Sequence, residues 1–102
     1  GVWDGVPLVG ADWLRASLTP SANAMDELRY GQLWFVGEAR TPALDGPQAW
    51  YGAFGNGGQR LWVMPSAGLA VAVLSGAYDR DDAWITPVRL WREIVLANLL
   101  RV

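Results

Sequence analysis

Five residues near the middle of the chain, Gly55-Asn56-Gly57-Gly58-Gln59, lie between the runs Trp50-Tyr51-Gly52-Ala53-Phe54 and Arg60-Leu61-Trp62-Val63-Met64. Taken alone, such a glycine cluster marks a turn. Trp50 and Tyr51, immediately before it, are candidates for lining a pocket. The other residues with chemical potential are few. Asp79, Asp81 and Asp82 resemble a cation loop only superficially: the full calcium-loop pattern is missing, and a solvated turn is the simpler reading. Trp34, Trp50, Trp62 and Trp91 read as core or sheet-packing residues, with a carbohydrate-stacking surface as the sharper alternative. Asn98 fits a buried or a surface position equally well.

Composition removes most other chemistries. The 102 residues carry ten acidic and eight basic side chains, a net charge of −2, and all eight bases are arginine. There is no lysine, histidine or cysteine. Zinc sites of the usual ligands, thiol nucleophiles and disulfides are therefore excluded. So are a Ser-His-Asp triad, a Schiff-base lysine and a phosphate-binding P-loop. No metal or other cofactor is implied. Eight arginines scattered among ten carboxylates make no basic stripe, which argues against nucleic acid. The longest apolar run, Gly68 to Leu74, is far short of the ~20 residues of a membrane span. Gly1-Val2-Trp3-Asp4-Gly5 does not read as a signal peptide. The compartment is left open.

The elements that must position the cluster follow from pattern. Asp4-Gly5 between apolar residues predicts a tight turn with short extended flanks. Gly10 to Leu18 reads as a short helix ended by Thr19-Pro20. Residues 19–28 read as a polar loop with room for one helical turn, Leu33 to Val36 as a strand, and 37–49 as a long surface loop. Residues 59–64 and 69–74 predict an antiparallel hairpin closed by Pro65-Ser66-Ala67-Gly68. Leu69-Ala70-Val71-Ala72-Val73-Leu74 is apolar throughout, which predicts a strand buried on both faces or near the centre of a sheet. Thr86-Pro87 supplies an N-cap and a first-turn proline. The helix over about 87–100 turns Val88, Trp91, Val95 and Leu99, with Ile94 beside them, toward the sheet. The sum is one α+β domain, an antiparallel sheet with packing helices.

Ala53 to Leu61, followed by Val63-Met64-Pro65, the apolar strand 69–74 and Ser75-Gly76-Ala77-Tyr78, resembles the C-terminal part of the serine β-lactamase and penicillin-binding protein family. The match is to its β-lactamase-related, class C-like serine hydrolase and esterase branch. Tyr30-Gly31-Gln32-Leu33-Trp34 resembles the aromatic strand entering the same sheet. Gly5-Val6-Pro7-Leu8-Val9 and Ala11-Asp12-Trp13-Leu14 resemble the turn and helix before it.

The resemblance implies acyl-enzyme hydrolysis of a small-molecule ester, amide or β-lactam. Its third motif, on a strand facing the nucleophile, maps to about Phe54 to Gly57, where small residues let the backbone approach substrate. One backbone N–H there, with that of the serine, would form the oxyanion hole. Asn56 is the expected donor, with Gly55 or Gly57 as alternatives, and Trp50, Tyr51 and Phe54 as substrate-binding residues. The chain departs from the family in three respects. With no lysine it contains no Ser-x-x-Lys, and none of Tyr30, Tyr51 or Tyr78 stands in a Tyr-x-Asn pattern. Phe54-Gly55-Asn56 replaces Lys-Thr-Gly, which favours an ester, an amide or another, unassigned substrate over classical β-lactam carboxylate recognition. Arg60 is a candidate anion partner. The expectation is a C-terminal fragment, 1–102, inactive alone, which self-associates or meets a missing N-terminal half through its bare strand edge. The rival reading is a non-catalytic binding or structural module built on the aromatic-rich sheet.

Overall fold

The Asp4-Gly5 turn joins two short strands, β1 (Val2–Trp3) and β2 (Val6–Pro7), in an antiparallel hairpin. Both turn residues hold positive φ, 48° and 76°, the geometry that matches the twist of a two-residue hairpin. Helix α1 (Ala11–Leu18) follows and stops before Thr19-Pro20 as the sequence predicts. These elements belong to a computed structural model that describes residues 1–100.

Six further strands form one antiparallel meander in chain order: β3 (Ala22–Asn23), β4 (Arg29–Tyr30), β5 (Phe35–Ala39), β6 (Gln48–Gly55), β7 (Gln59–Met64) and β8 (Leu69–Val73). An antiparallel sheet with a few helices is an α+β arrangement. Residues 19–28, read as a loop, instead supply β3 and the turn before β4, closed by Leu28 N–H donating to Met25 O at 2.8 Å. β5 runs three residues further than expected, through Gly37 to Ala39. Leu33 is excluded from it, with φ at 67° and 81% of its surface exposed. The hairpin of β7 and β8 forms where expected, with Pro65–Ala67 as a 3₁₀ turn and Gly68 in the left-handed region at φ 59°.

Strand alternation divides the sheet into two faces. Phe35, Trp50, Phe54, Trp62, Met64, Leu69, Val71 and Val73 share one face with the C-terminal helix, as the register places them in rows. That helix begins as α2 (Ile85–Arg89), widens into π-type turns over Leu90–Val95 and closes in a 3₁₀ turn at Leu96–Asn98. Its start differs from the sequence reading. Trp84 is the N-cap and Thr86 and Pro87 lie inside the first turn, with no side-chain cap. Val88, Trp91, Val95 and Leu99 meet the core as expected, joined by Leu96, whereas Ile94 faces outward. At the centre the Trp62 and Trp91 indoles stack at 5.1 Å with planes 3° apart, both buried. Asn98 is a surface residue whose side chain donates to Ile94 O at 2.7 Å.

The opposite face carries Val36, Tyr51, Ala53, Leu61, Val63, Ala70 and Ala72; Val36 is buried there, and the face opens toward β8, whose alanines are exposed. The largest correction concerns β8. An uninterrupted apolar run reads as an interior strand, yet β8 is the outer strand of the sheet, and Leu74 just beyond it is 88% exposed.

Candidate functional site

The glycine cluster forms the turn between β6 and β7. Gly55 ends β6 opposite Gln59, and Asn56, Gly57 and Gly58 make the connection. Its shape is set by the segment that follows β8. The Asn56 side chain and Asp79 hold each other twice: Nδ2–H donates to the Asp79 carboxylate at 2.9 Å, and the Asp79 N–H donates to Asn56 Oδ1 at 3.1 Å. Ala77 N–H donates to Gly57 O at 3.2 Å. Gln59 acts as a mock strand residue, its Oε1 accepting from Ser75 N–H at 3.1 Å and its Nε2–H donating to Ser75 O. Three hydrogen bonds thus clamp the turn, and two more the first residue of β7, to Ser75–Asp79.

The same clamp explains the glycines. A Cβ on Gly57 would stand 2.7 Å from the Tyr78 ring, and one on Gly58 would stand 2.6 Å from the Ala83 carbonyl oxygen. Both residues also hold positive φ, 87° and 89°, a region that L side chains rarely adopt. Among the described residues, none of the backbone hydrogen bonds outside helices and strands is donated by Asn56, Gly57 or Gly58. The turn therefore holds its backbone N–H groups on a fixed frame, with Asn56 exposed and Gly57 and Gly58 buried, while the Asn56 amide side chain is already engaged.

The predicted substrate-binding residues do not converge. Trp50 is buried in the core beneath the helix, and Phe54 shares its face, stacked on Phe35 at 4.7 Å. Tyr51 projects to the open face, where with Gln48, Ala49, Pro65 and Ser66 it lines a shallow depression of about 190 Å³. A second depression of about 170 Å³ lies on the helix between Thr86, Arg89, Leu90, Glu93 and Ile94. Neither touches the glycine turn.

Arg60 settles on the helix-covered face beside the turn. Its guanidinium lies 4.5 Å from the centre of the Phe54 ring, and Nη1 donates to Gln59 O at 2.9 Å and to Gly55 O at 3.4 Å. Its Nε is buried without a partner, and burial lowers its pKa from the ordinary arginine value. Asp79, Asp81 and Asp82 lie in an exposed turn, with Asp82 paired to Arg80 at 2.9 Å. Among the described residues there is no group of three or more His, Cys, Asp or Glu that could hold a metal. No helix among them is long and apolar enough to cross a membrane. Sequence reasoning missed the pairing of Asn56 with Asp79 and of Gln59 with Ser75, contacts that span 23 and 16 residues. No local signal announces them. No protein-family model, curated protein or solved structure matches the chain.

Proposed function

We propose that the chain is the C-terminal segment of a β-lactamase-related serine hydrolase and supplies one wall of its acyl-transfer site. The observation that carries this reading is the clamped turn at residues 55–58. Among the described residues, its N–H groups join none of the loop backbone hydrogen bonds, and Asn56 stands at its exposed end. Such a frame suits charge that develops on a carbonyl oxygen. Donors already held in place need no reorganisation as the tetrahedral intermediate forms.

In the mechanism that follows, a serine outside these residues attacks the ester or amide carbonyl after losing its proton to a neighbouring base. The carbonyl oxygen, now negative, is received by Asn56 N–H together with the serine's own N–H, with Gly55 or Gly57 as the alternative donor. Collapse expels the alcohol or amine, which takes up the proton, and leaves an acyl-serine. An activated water then attacks that ester and releases the acid. Phe54 and Trp50 support the end of β6 from the helix-covered face, and Tyr51 lines a depression that does not reach the turn.

The alternative is a binding or structural module. It is favoured by the half-buried aromatic row Tyr30, Phe35 and Phe54, whose rings meet at 4.9 and 4.7 Å. Labelling by a fluorophosphonate or a serine-reactive β-lactam separates the two. The native full-length protein bearing these residues is expected to be labelled, and the 102-residue chain is not. Labelling of the short chain, or none of the full-length protein, overturns the hydrolase reading.

A further inference from the structure

The sheet has two edges, and they differ in kind. β3 is two residues long and lies between Pro20 and the acidic pair Asp26-Glu27, a short edge of the sort that resists further pairing. β8 has none of these protections. It holds neither a charge nor a proline, and its register with β7 runs unbroken from Arg60↔Val73 to Met64↔Leu69, with no bulge. An edge of this type is a template for another strand.

The chain as a whole also exposes more surface than a compact monomer of its mass. A folded monomer of 11.1 kDa exposes about 5,700 Å² by the usual scaling, whereas this chain exposes 7274 Å². The excess of roughly 1,600 Å² is about twice the ~800 Å² that each partner buries in an interface of standard size. The radius of gyration agrees, at 14.5 Å against about 12.8 Å for a compact domain of this length.

We propose that two copies of this chain associate by pairing the outer edge of β8 with itself, antiparallel about a two-fold axis near Val71, into one continuous sheet. The sequence of β8 suits this. Pairing about Val71 sets Ala70 opposite Ala72 of the partner subunit on the open face, where small side chains meet without conflict. On the other face it brings Leu69, Val71 and Val73 into cross-strand apolar contacts. The arrangement also gives β8 the neighbour on each side that its unbroken apolar run predicts.

The proposal is independent of the hydrolase reading and is tested on the 102-residue chain by sedimentation velocity over a range of concentrations. The wild type is expected to sediment as a dimer. The double variant Ala70→Lys/Ala72→Lys, which sets like charges opposite each other twice, is expected to raise the dissociation constant by at least ~tenfold. Ala49→Lys adds charge to the same open face on an interior strand and is expected to leave the dimer intact. Near-ultraviolet circular dichroism of the stacked Trp62 and Trp91 checks that each variant is folded. A monomeric wild type, or a double variant that dimerises as tightly as the wild type, overturns the proposal. So does Ala49→Lys weakening the dimer as much as the double variant, because that marks face-to-face stacking. None of these results bears on serine labelling.

Discussion

Replacing Gly57 by alanine tests whether the glycine turn is dictated by its clamp. Two separable costs are expected. The first is conformational: Gly57 holds φ at 87°, and an L-residue forced into left-handed backbone costs about 1–2 kcal/mol. The second is steric: the new Cβ would lie 2.7 Å from Tyr78 Cδ1, and displacing a packed group costs about 1–3 kcal/mol. Together Gly57→Ala should destabilise the chain by roughly 2–5 kcal/mol, a large share of a small domain's stability. Tyr78 is 63% exposed, so removing its ring should itself cost little. In a Tyr78→Ala background the steric cost disappears, and Gly57→Ala should cost only about 1–2 kcal/mol. Gly76, in the segment that clamps the turn, is an internal control. Its φ is not positive and a Cβ there would meet nothing within 4 Å. Gly76→Ala should therefore be neutral or stabilise by up to ~1 kcal/mol. Urea denaturation followed by tryptophan fluorescence measures all four variants on one scale. A cost below ~1 kcal/mol for Gly57→Ala, or one unchanged by Tyr78→Ala, would refute the reasoning.

Leu33→Asn should stabilise the chain by about 0.5–1 kcal/mol, because Leu33 holds φ at 67° while 81% exposed and asparagine tolerates that geometry. Thermal and urea unfolding check it, and a loss of stability would show that the leucine makes a contact worth its strain. The exposed pair of Arg89 and Glu93 gives a pH signature. The hydrogen bond from Arg89 lowers the Glu93 pKa, so its contribution is fully present above the unfolded value of ~4.3 and is lost as pH falls through the lower native value. The stability difference between wild type and Glu93→Gln should therefore be present at neutral pH and vanish in acid. A difference independent of pH would mean that the ion pair contributes nothing measurable.

Local chemistry made some elements legible and left others hidden. The Asp4-Gly5 hairpin, the stop at Thr19-Pro20 and the Pro65–Gly68 connection rest on turn residues with one geometric use each, and the structure has all three. The helical row Val88, Trp91, Val95 and Leu99 was equally plain, because its spacing is the helix period. β3 and β4 were invisible: two-residue strands carry no periodicity, and they pair only because the chain returns at Met25 to Leu28. Ile94 faces outward because at ~100° per residue it stands well off the row of Val88, Trp91, Val95 and Leu99. At the candidate site, the glycine turn stood out in the sequence while its clamp did not. Nothing near Asn56 reveals that Asp79 will meet it from beyond β8.

The clamp changes what the glycines can be used to argue. Gly57 and Gly58 would be required by Tyr78 and Ala83 whether or not the turn ever meets a substrate, so their presence does not by itself favour chemistry. What favours it is the use of the polar groups. The Asn56 side chain and the Gly57 carbonyl are spent on holding Ser75–Asp79, yet the N–H groups of the turn join none of the loop hydrogen bonds among the described residues. Three hydrogen bonds from the turn and two from Gln59 hold this region to a distant segment. A turn that must keep donors still while charge moves onto an oxygen needs such bonds, since the stabilisation such donors give depends on their not having to reorganise. The Asn56–Asp79 pair is therefore the sharper probe of function. On the proposed hydrolase reading, Asp79→Ala in a longer chain that carries the serine should lower the rate of acylation more than it weakens the binding of substrate. A loss confined to stability would leave the clamp a structural device alone.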